Sequence, residues 1–176
     1  MSEEEVEKTE EKPETEEVTE PEETNEEGDL LLPRDTLLSA GTHIGTRMKM
    51  RAMEQFSYRI RPDGLFVLDI QKTDERIRIA AKFLARIEPS KIAVTATRLY
   101  AQEPVRKFCE VTGATPIVGR FTPGILSNPL YPERIEPDVL VVSDPRADSQ
   151  AVREASAVGI PIVALCSTDN VFTGVD

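Results

Sequence analysis

The stretch over residues 65–97, LFVLDIQKTDERIRIAAKFLARIEPSKIAVTAT, limits the fold more than any other part of the chain. Residues 65–70 form a short apolar run with Asp69 close to its end. Thr73 is a suitable N-cap, followed by Asp74 and Glu75 in a first turn where the helix dipole favours negative charge. Ile77, Ala80, Ala81, Leu84 and Ile87 then recur at three- and four-residue spacing, which makes one helix face apolar. Pro89 and Ser90 stop the helix, and residues 92–97 are β-rich again. Two apolar strands joined by an amphipathic helix predict a βαβ unit with parallel strands and a right-handed crossover. Such units often hold a nucleotide at the first strand–helix turn, so that turn is the first place to look for chemistry.

The rest of the chain continues the alternation. Residues 35–40 read as a short helical patch ended by Gly41. A helix is predicted over residues 101–112, with Pro104 in its first turn and Gly113 just past its end. Its inner stripe is Val105, Phe108, Cys109 and Thr112. Residues 115–118 read as a third strand. Residues 119–137, GRFTPGILSNPLYPERIEP, hold four prolines and follow neither a helical nor a strand period. A connection this long inside a domain tends to be functional. Residues 138–143 (DVLVVS) and 161–165 supply a fourth and a fifth strand. Between them Ala151, Val152, Ala155 and Val158 mark a helix begun near Asp148 or Ser149 and closed by Gly159. The expected class is therefore α/β: a doubly wound, mainly parallel sheet of about five strands with helices on both faces.

Charge divides the chain in two. The formal net charge is −11 over 176 residues. Residues 1–28 carry 14 Glu against Lys8 and Lys12, whereas residues 29–176 sum to about +1. After Met1 the acidic arm holds Val6 and Val18 and no other large apolar residue, so it lacks the surface to offset its ordering entropy and is expected to be disordered. It has neither the basic nor the apolar region of a signal peptide. It reads either as a solvated tail, the plainer reading, or as a segment that repels nucleic acid or binds a basic neighbour. No apolar run approaches a membrane span. Cys109 and Cys166 stand alone, as expected of free thiols in a reducing cytosol, and the single histidine, His43, leaves no zinc spacing.

Residues 41–64, GTHIGTRMKMRAMEQFSYRIRPDG, form the most basic region. Arg47, Lys49, Arg51, Arg59 and Arg61 face only Glu54 and Asp63, with Phe56 and Tyr58 interleaved. The mixed polarity predicts an ordered extended segment or loop. Guanidinium groups beside aromatic rings suit RNA, where phosphates and unpaired bases are both available; packing of the rings on a sheet edge is the competing reading. Arg78, Lys82 and Arg86 add a row at four-residue spacing on the central helix, which on spacing alone is more often just a solvated face.

A nucleotide site would need glycines that this chain does not place. The turn over residues 69–73 has none, nor do the turns at residues 95–98 and 143–146. No P-loop or nucleophile elbow occurs. Asp69 and Asp144 end strands, where a carboxylate can ligate magnesium but more commonly caps a helix or turn. An α/β nucleotide-binding or enzyme domain without a recognisable phosphate loop stays as the alternative. An interaction module built on the proline-rich loop and the acidic arm is a third.

The segments AGTHIGTR, FVLDIQKTDERIRIAAKFLAR, GRFTPGILSNP, EPDVLVVSDPRAD and GIPIVALCSTDN, in this order, resemble the universal small-subunit ribosomal protein S2 family over roughly residues 30–176. The short connection at residues 129–137 is similar to the archaeal branch, where bacterial members carry a helical hairpin. The resemblance implies a flavodoxin-like sheet, no catalytic activity, no cofactor, no metal and no small-molecule substrate. It implies a cytoplasmic place in the small ribosomal subunit near the junction of head and body, against ribosomal RNA and neighbouring ribosomal proteins. Matching positions put Gly41, His43, Gly45 and Arg47 in the family's N-terminal motif. Arg120, Phe121, Pro123, Gly124 and Asn128 fall in its long loop. His43 then reads as structural or RNA-facing. The family also continues past the position of Asp176 with a strand and a closing helix, so a domain over residues 29–176 is expected to leave apolar surface uncovered. The RNA-contact candidates are His43, Arg47, Lys49, Arg51, Arg59, Arg61 and Arg120, then Arg78, Lys82 and Arg86.

Overall fold

Four short apolar runs, each three to five residues long, form one parallel sheet in the computed structural model, which describes residues 30–176. The acidic arm read over residues 1–28 lies outside the described residues. The elements in chain order are α1 (Arg34–Ser39), β1 (Ser57–Ile60), β2 (Phe66–Leu68), α2 (Ile70–Leu84), β3 (Ile92–Ala96), α3 (Leu99–Thr112), β4 (Thr115–Val118), β5 (Val139–Val142), α4 (Ser149–Val158) and β6 (Ile162–Ala164). The sheet order is β4-β3-β5-β6, all parallel. From β3 the chain winds outward through α3 to β4, and from β5 it winds the other way through α4 to β6. The crevice between β3 and β5 is thus the topological switch point of a doubly wound sheet.

Both faces are covered. Ile92, Val94, Ala96 and Val139 pack with Val105, Cys109 and Ala114 on the α3 side, with Leu84 and Ile87 at the margin. Ala93, Leu140, Val142 and Ile162 pack with Ala151, Val152 and Ala155 of α4 on the other. Among the described residues that second face has only one helix, and the irregular connection after β4 completes it. Phe121, Ile125 and Leu126 are buried in the same cluster, with Tyr131 and Ile135 beside them. The absence of period in this connection therefore reflects a loop that packs like a layer without being a helix. α3 and α4 end on Gly113 and Gly159, each at φ +84°, a left-handed conformation that glycine adopts without strain.

Three expectations need correction. The run at residues 65–70 does not join the main sheet and has no parallel partner among the described residues. β2 instead pairs antiparallel with β1, and its other edge bonds residues 43–46. Gly45 N–H donates to Phe66 O (2.8 Å), Phe66 N–H to Thr46 O (3.0 Å) and Leu68 N–H to His43 O (2.8 Å). Both edges of a three-residue strand are therefore occupied by nearby chain, whose closure costs less entropy than a helical crossover. The signal was Pro62-Asp63-Gly64, a turn sequence; Gly64 N–H closes on Arg61 O at 2.9 Å.

The helix α2 starts one turn earlier than predicted. Asp69 caps it, accepting from Gln71 N–H (3.0 Å) and Lys72 N–H (3.5 Å), while the Thr73 hydroxyl donates back to Asp69 O. α3 likewise begins at Leu99, so Pro104 lies inside it, and Phe108 and Thr112 of the predicted stripe are exposed. On α2 only Leu84 approaches the core; Ile77, Ile79 and Phe83 stay 38–49% exposed.

Candidate nucleic-acid interface

The basic segment is held at both ends. The Thr46 N–H donates to Thr168 Oγ1 (2.9 Å), the two threonine hydroxyls lie 2.9 Å apart, and Met50 N–H donates to Thr168 O (2.9 Å). Thr168 is fully buried, so the loop after β6 serves as the anchor for a segment more than a hundred residues earlier. Met53 is the buried residue of the two-turn 3-10 helix over Arg51–Phe56, which leads into β1. Gly45 makes the clasp possible. A Cβ there would lie 2.5 Å from Thr168 Cγ2 and 2.9 Å from Phe66 O. Gly45→Ala should therefore cost about 2–4 kcal/mol, read as a lowered urea midpoint, because neither the buried threonine nor the strand backbone can move aside freely.

His43 belongs to this clasp by its backbone, and its Nδ1 is buried without a hydrogen-bond partner among the described residues. The cations differ from one another. Lys49 is bound to Glu54 (2.8 Å) and lies over the Phe66 ring, Arg61 is 3.9 Å from Asp63, and Arg78 Nε is 2.7 Å from Asp74. Arg47, Lys82, Arg86 and Arg120 are exposed and have no counter-ion among the described residues, while Arg51 is exposed but near enough to Glu54 to help hold that carboxyl below its usual value. Arg59 is also without a counter-ion among the described residues and lies 5.9 Å from the Tyr58 ring centroid.

These groups do not form one patch. The segment carrying Arg47 and Arg51 adjoins α2, since Lys72 Nζ donates to Gln55 O (2.6 Å) and Arg76 lies over the Phe56 ring. The basic segment thus rests on the Lys72–Arg76 side of α2, whereas Arg78 and Lys82 project from a different side of the helix. Arg120 follows β4, at the edge of the sheet opposite β6 and its Thr168 loop, about 14 Å away across three strand spacings.

In the long loop, Pro123 is exposed, Phe121 faces inward, and Gly124 and Asn128 are tied by a 2.9 Å backbone bond. Glu154 of α4 orders this loop. Its carboxylate accepts from Gly124 N–H (2.7 Å), Gln150 Nε2 (2.8 Å), the Ser127 hydroxyl (3.2 Å) and Leu126 N–H (3.4 Å). Nothing in its spacing distinguishes Glu154 from a solvated helix residue, so sequence reasoning misses it.

The switch-point crevice, where a doubly wound fold would bind a phosphate, is filled by a carboxylate. Asp148, 1% exposed, accepts from the Thr97 N–H (2.9 Å), the Thr97 hydroxyl and the Ser143 hydroxyl (3.2 Å). Although it stands at the N-cap position of α4, its side chain bonds across the crevice instead. Asp144 beside it pairs with Arg98 and accepts from Asn170 Nδ2 (2.8 Å) and Arg146 N–H (3.0 Å). A negative, hydrogen-bonded plug repels phosphate. Both cysteines are free. Burial pushes the Cys109 thiol up, and burial together with Asp144 pushes Cys166 up to about 11, so neither is an activated nucleophile. Among the described residues no group of His, Cys, Asp and Glu is arranged to hold a metal, and no helix is long and apolar enough to cross a membrane.

Comparison with known proteins gives a consistent result. The small ribosomal subunit protein uS2 of Staphylothermus marinus is 52% identical over 169 residues, spanning 96% of this chain and 71% of its own length. The small ribosomal subunit protein uS2 of Thermofilum pendens is 53% identical over 150 residues, spanning 85% of this chain and 70% of its own. Both relatives are archaeal, in keeping with the short connection between β4 and β5. The family model for Ribosomal protein S2 matches residues 37–131 and 133–176, from α1 through the Thr168 clasp to Asp176. The chain belongs to the Ribosomal protein S2 family, in its archaeal-like branch.

Proposed function

We propose that the chain is a structural constituent of the small ribosomal subunit in the cytoplasm, not an enzyme, and that it binds ribosomal RNA and neighbouring ribosomal proteins near the head–body junction. The observation that carries the RNA part is the pair of exposed, unneutralised guanidinium groups of Arg47 and Arg59 on a segment pinned by Thr168, with the exposed Arg51 between them. Phosphate contacts position a protein, and the folded RNA supplies specificity through its shape. Arg120, with Pro123 and Asn128 on the loop that Glu154 orders, offers a second contact region on the far side of the sheet. Lys49, Arg61 and Arg78 contribute less, because each already has a carboxylate partner. His43 supports the clasp. The nucleotide-binding alternative has no observation in its favour, since a carboxylate occupies the crevice it needs.

The test is co-sedimentation of the Arg47→Ala, Arg59→Ala, Arg61→Ala triple variant with small subunits depleted of this protein. Association should weaken, and the slope of log affinity against log salt should become shallower by roughly two to three units, about one for each phosphate that is no longer neutralised. An unchanged affinity and slope would remove the basic segment from the interface.

A further inference from the structure

We propose that the glutamate-rich arm over residues 1–29 docks on the C-terminal half of the α2 row, centred on Lys82 and Arg86, and occupies it in the free protein. The first observation is where the arm is tethered. Leu31 N–H donates to Asp74 Oδ1 at 3.0 Å, and Asp74 is only 7% exposed. The Arg78 guanidinium, and after it the Leu31 N–H, hold the Asp74 carboxyl below its usual range, so this anchor stays charged. Asp74, Arg78, Lys82 and Arg86 follow one another at four-residue spacing, so the arm leaves the domain at the head of a row that turns cationic beyond it.

The second observation is which charges along that row are open. Asp74 already neutralises Arg78, whereas Lys82 and Arg86 are exposed without a counter-ion among the described residues. The third is reach. From Asp74, where the arm is tethered, to Lys82 the helix rises about 12 Å, and Arg86 lies just past the helix end. Five residues of chain reach about 12 Å on a random-coil estimate. Glu26 and Glu27 lie within five residues of Leu31, and Glu22 and Glu23 follow. Tethering at this distance gives the carboxylates an effective concentration on the order of millimolar at the row. The arm has 14 Glu to supply.

A consequence follows that rests on the RNA-binding reading above. Carboxylates on Lys82 and Arg86 compete with phosphates for the same charges. Nucleic acid making few contacts is excluded, whereas a site that also engages the Arg47–Arg59 segment displaces the arm.

Two measurements on the full chain test this. In the first, a carbodiimide joins lysine amines to carboxylates in direct contact, and peptide mass spectrometry locates the links. Links from Lys82 to Glu22, Glu23, Glu26 or Glu27 should form at low salt, fade at high salt and be suppressed by excess oligouridylate. No such links, or links spread equally over Lys91 and Lys107, would overturn the docking. In the second, the variant Glu22→Gln, Glu23→Gln, Glu26→Gln, Glu27→Gln should bind oligouridylate roughly two- to ten-fold more tightly than the parent at low salt, the range expected for a few exposed ion pairs, and equally at high salt. Equal binding at low salt by a parent chain that does bind would overturn the competition. Salt-sensitive Lys82 links in a chain that binds no RNA would support the docking and overturn the RNA-binding reading instead.

Discussion

Replacing Asp148 by alanine should destabilise the fold by about 3–5 kcal/mol, the largest effect expected from any single polar substitution in this chain. The carboxylate satisfies the Thr97 N–H, the Thr97 hydroxyl and the Ser143 hydroxyl across the β3–β5 crevice. At 1% exposure, water has no ready route to replace it. Alanine would leave these groups without an acceptor at the point where the two halves of the winding diverge. For a domain of this size the melting temperature should fall by about 10 °C. Asp148→Asn separates the two contributions. An amide oxygen can still accept from Thr97 and its NH2 can donate to the Ser143 hydroxyl, so the loss should be only about 1–2 kcal/mol. If alanine and asparagine variants unfold at the parent's urea midpoint, the crevice is not held by this residue.

Glu154→Ala should cost about 3 kcal/mol, with a more local symptom. Four donors converge on this carboxylate, and two of them are backbone N–H groups of the connection that completes the α4 face. Without it, Phe121, Ile125 and Leu126 lose what holds their backbone over the core, so trypsin should cut after Arg120 or Arg134 well before global unfolding. Glu154→Gln keeps the shape but turns an NH2 toward an N–H donor, and should lose about 1–2 kcal/mol. Acid gives a second readout. Burial raises the Glu154 carboxyl, but the bonds from Gly124, Gln150, Leu126 and Ser127 together outweigh it and hold it below the ordinary value of 4.5. A depressed carboxyl contributes stability that is present above 4.5 and is lost as pH falls through its lower folded value. The gap between parent and Gln variant should therefore be widest near neutrality and close in acid. A gap independent of pH would show that the carboxylate charge is not what orders the loop.

Parts of this architecture are legible because they depend on neighbours a few residues away. The runs at 92–97, 115–118, 138–143 and 161–165 are short, β-branched and bounded by breakers, and each becomes a strand of the parallel sheet. Gly113 and Gly159 mark the ends of α3 and α4. The run at 65–70 looks the same by composition, yet its backbone bonds go to residues 43–46 and 57–60. An apolar run reports that a strand will be buried, not which neighbour takes its edge. The turn at Pro62-Asp63-Gly64 carries that information, and the periodicity after it masks it.

The candidate interface divides similarly. That residues 41–64 are basic and aromatic is visible in the composition. That Lys49, Arg61 and Arg78 are already paired while Arg47 and Arg59 are not depends on where Glu54, Asp63 and Asp74 come to lie.

Local pattern is enough for the α/β class, the doubly wound parallel sheet, the absence of a glycine phosphate loop and the separation of an acidic arm from a near-neutral domain. These follow from periodicity, turn chemistry and charge counts, which need no knowledge of distant contacts. The folded molecule is needed to see that Asp148 closes the switch point, that Glu154 turns a structureless connection into part of a core layer, and that Thr168 pins the basic segment. Each of these is a hydrogen bond spanning about 30 to 120 residues of chain. No local pattern encodes such a pairing, because the partners meet only once the sheet has brought its strand ends together.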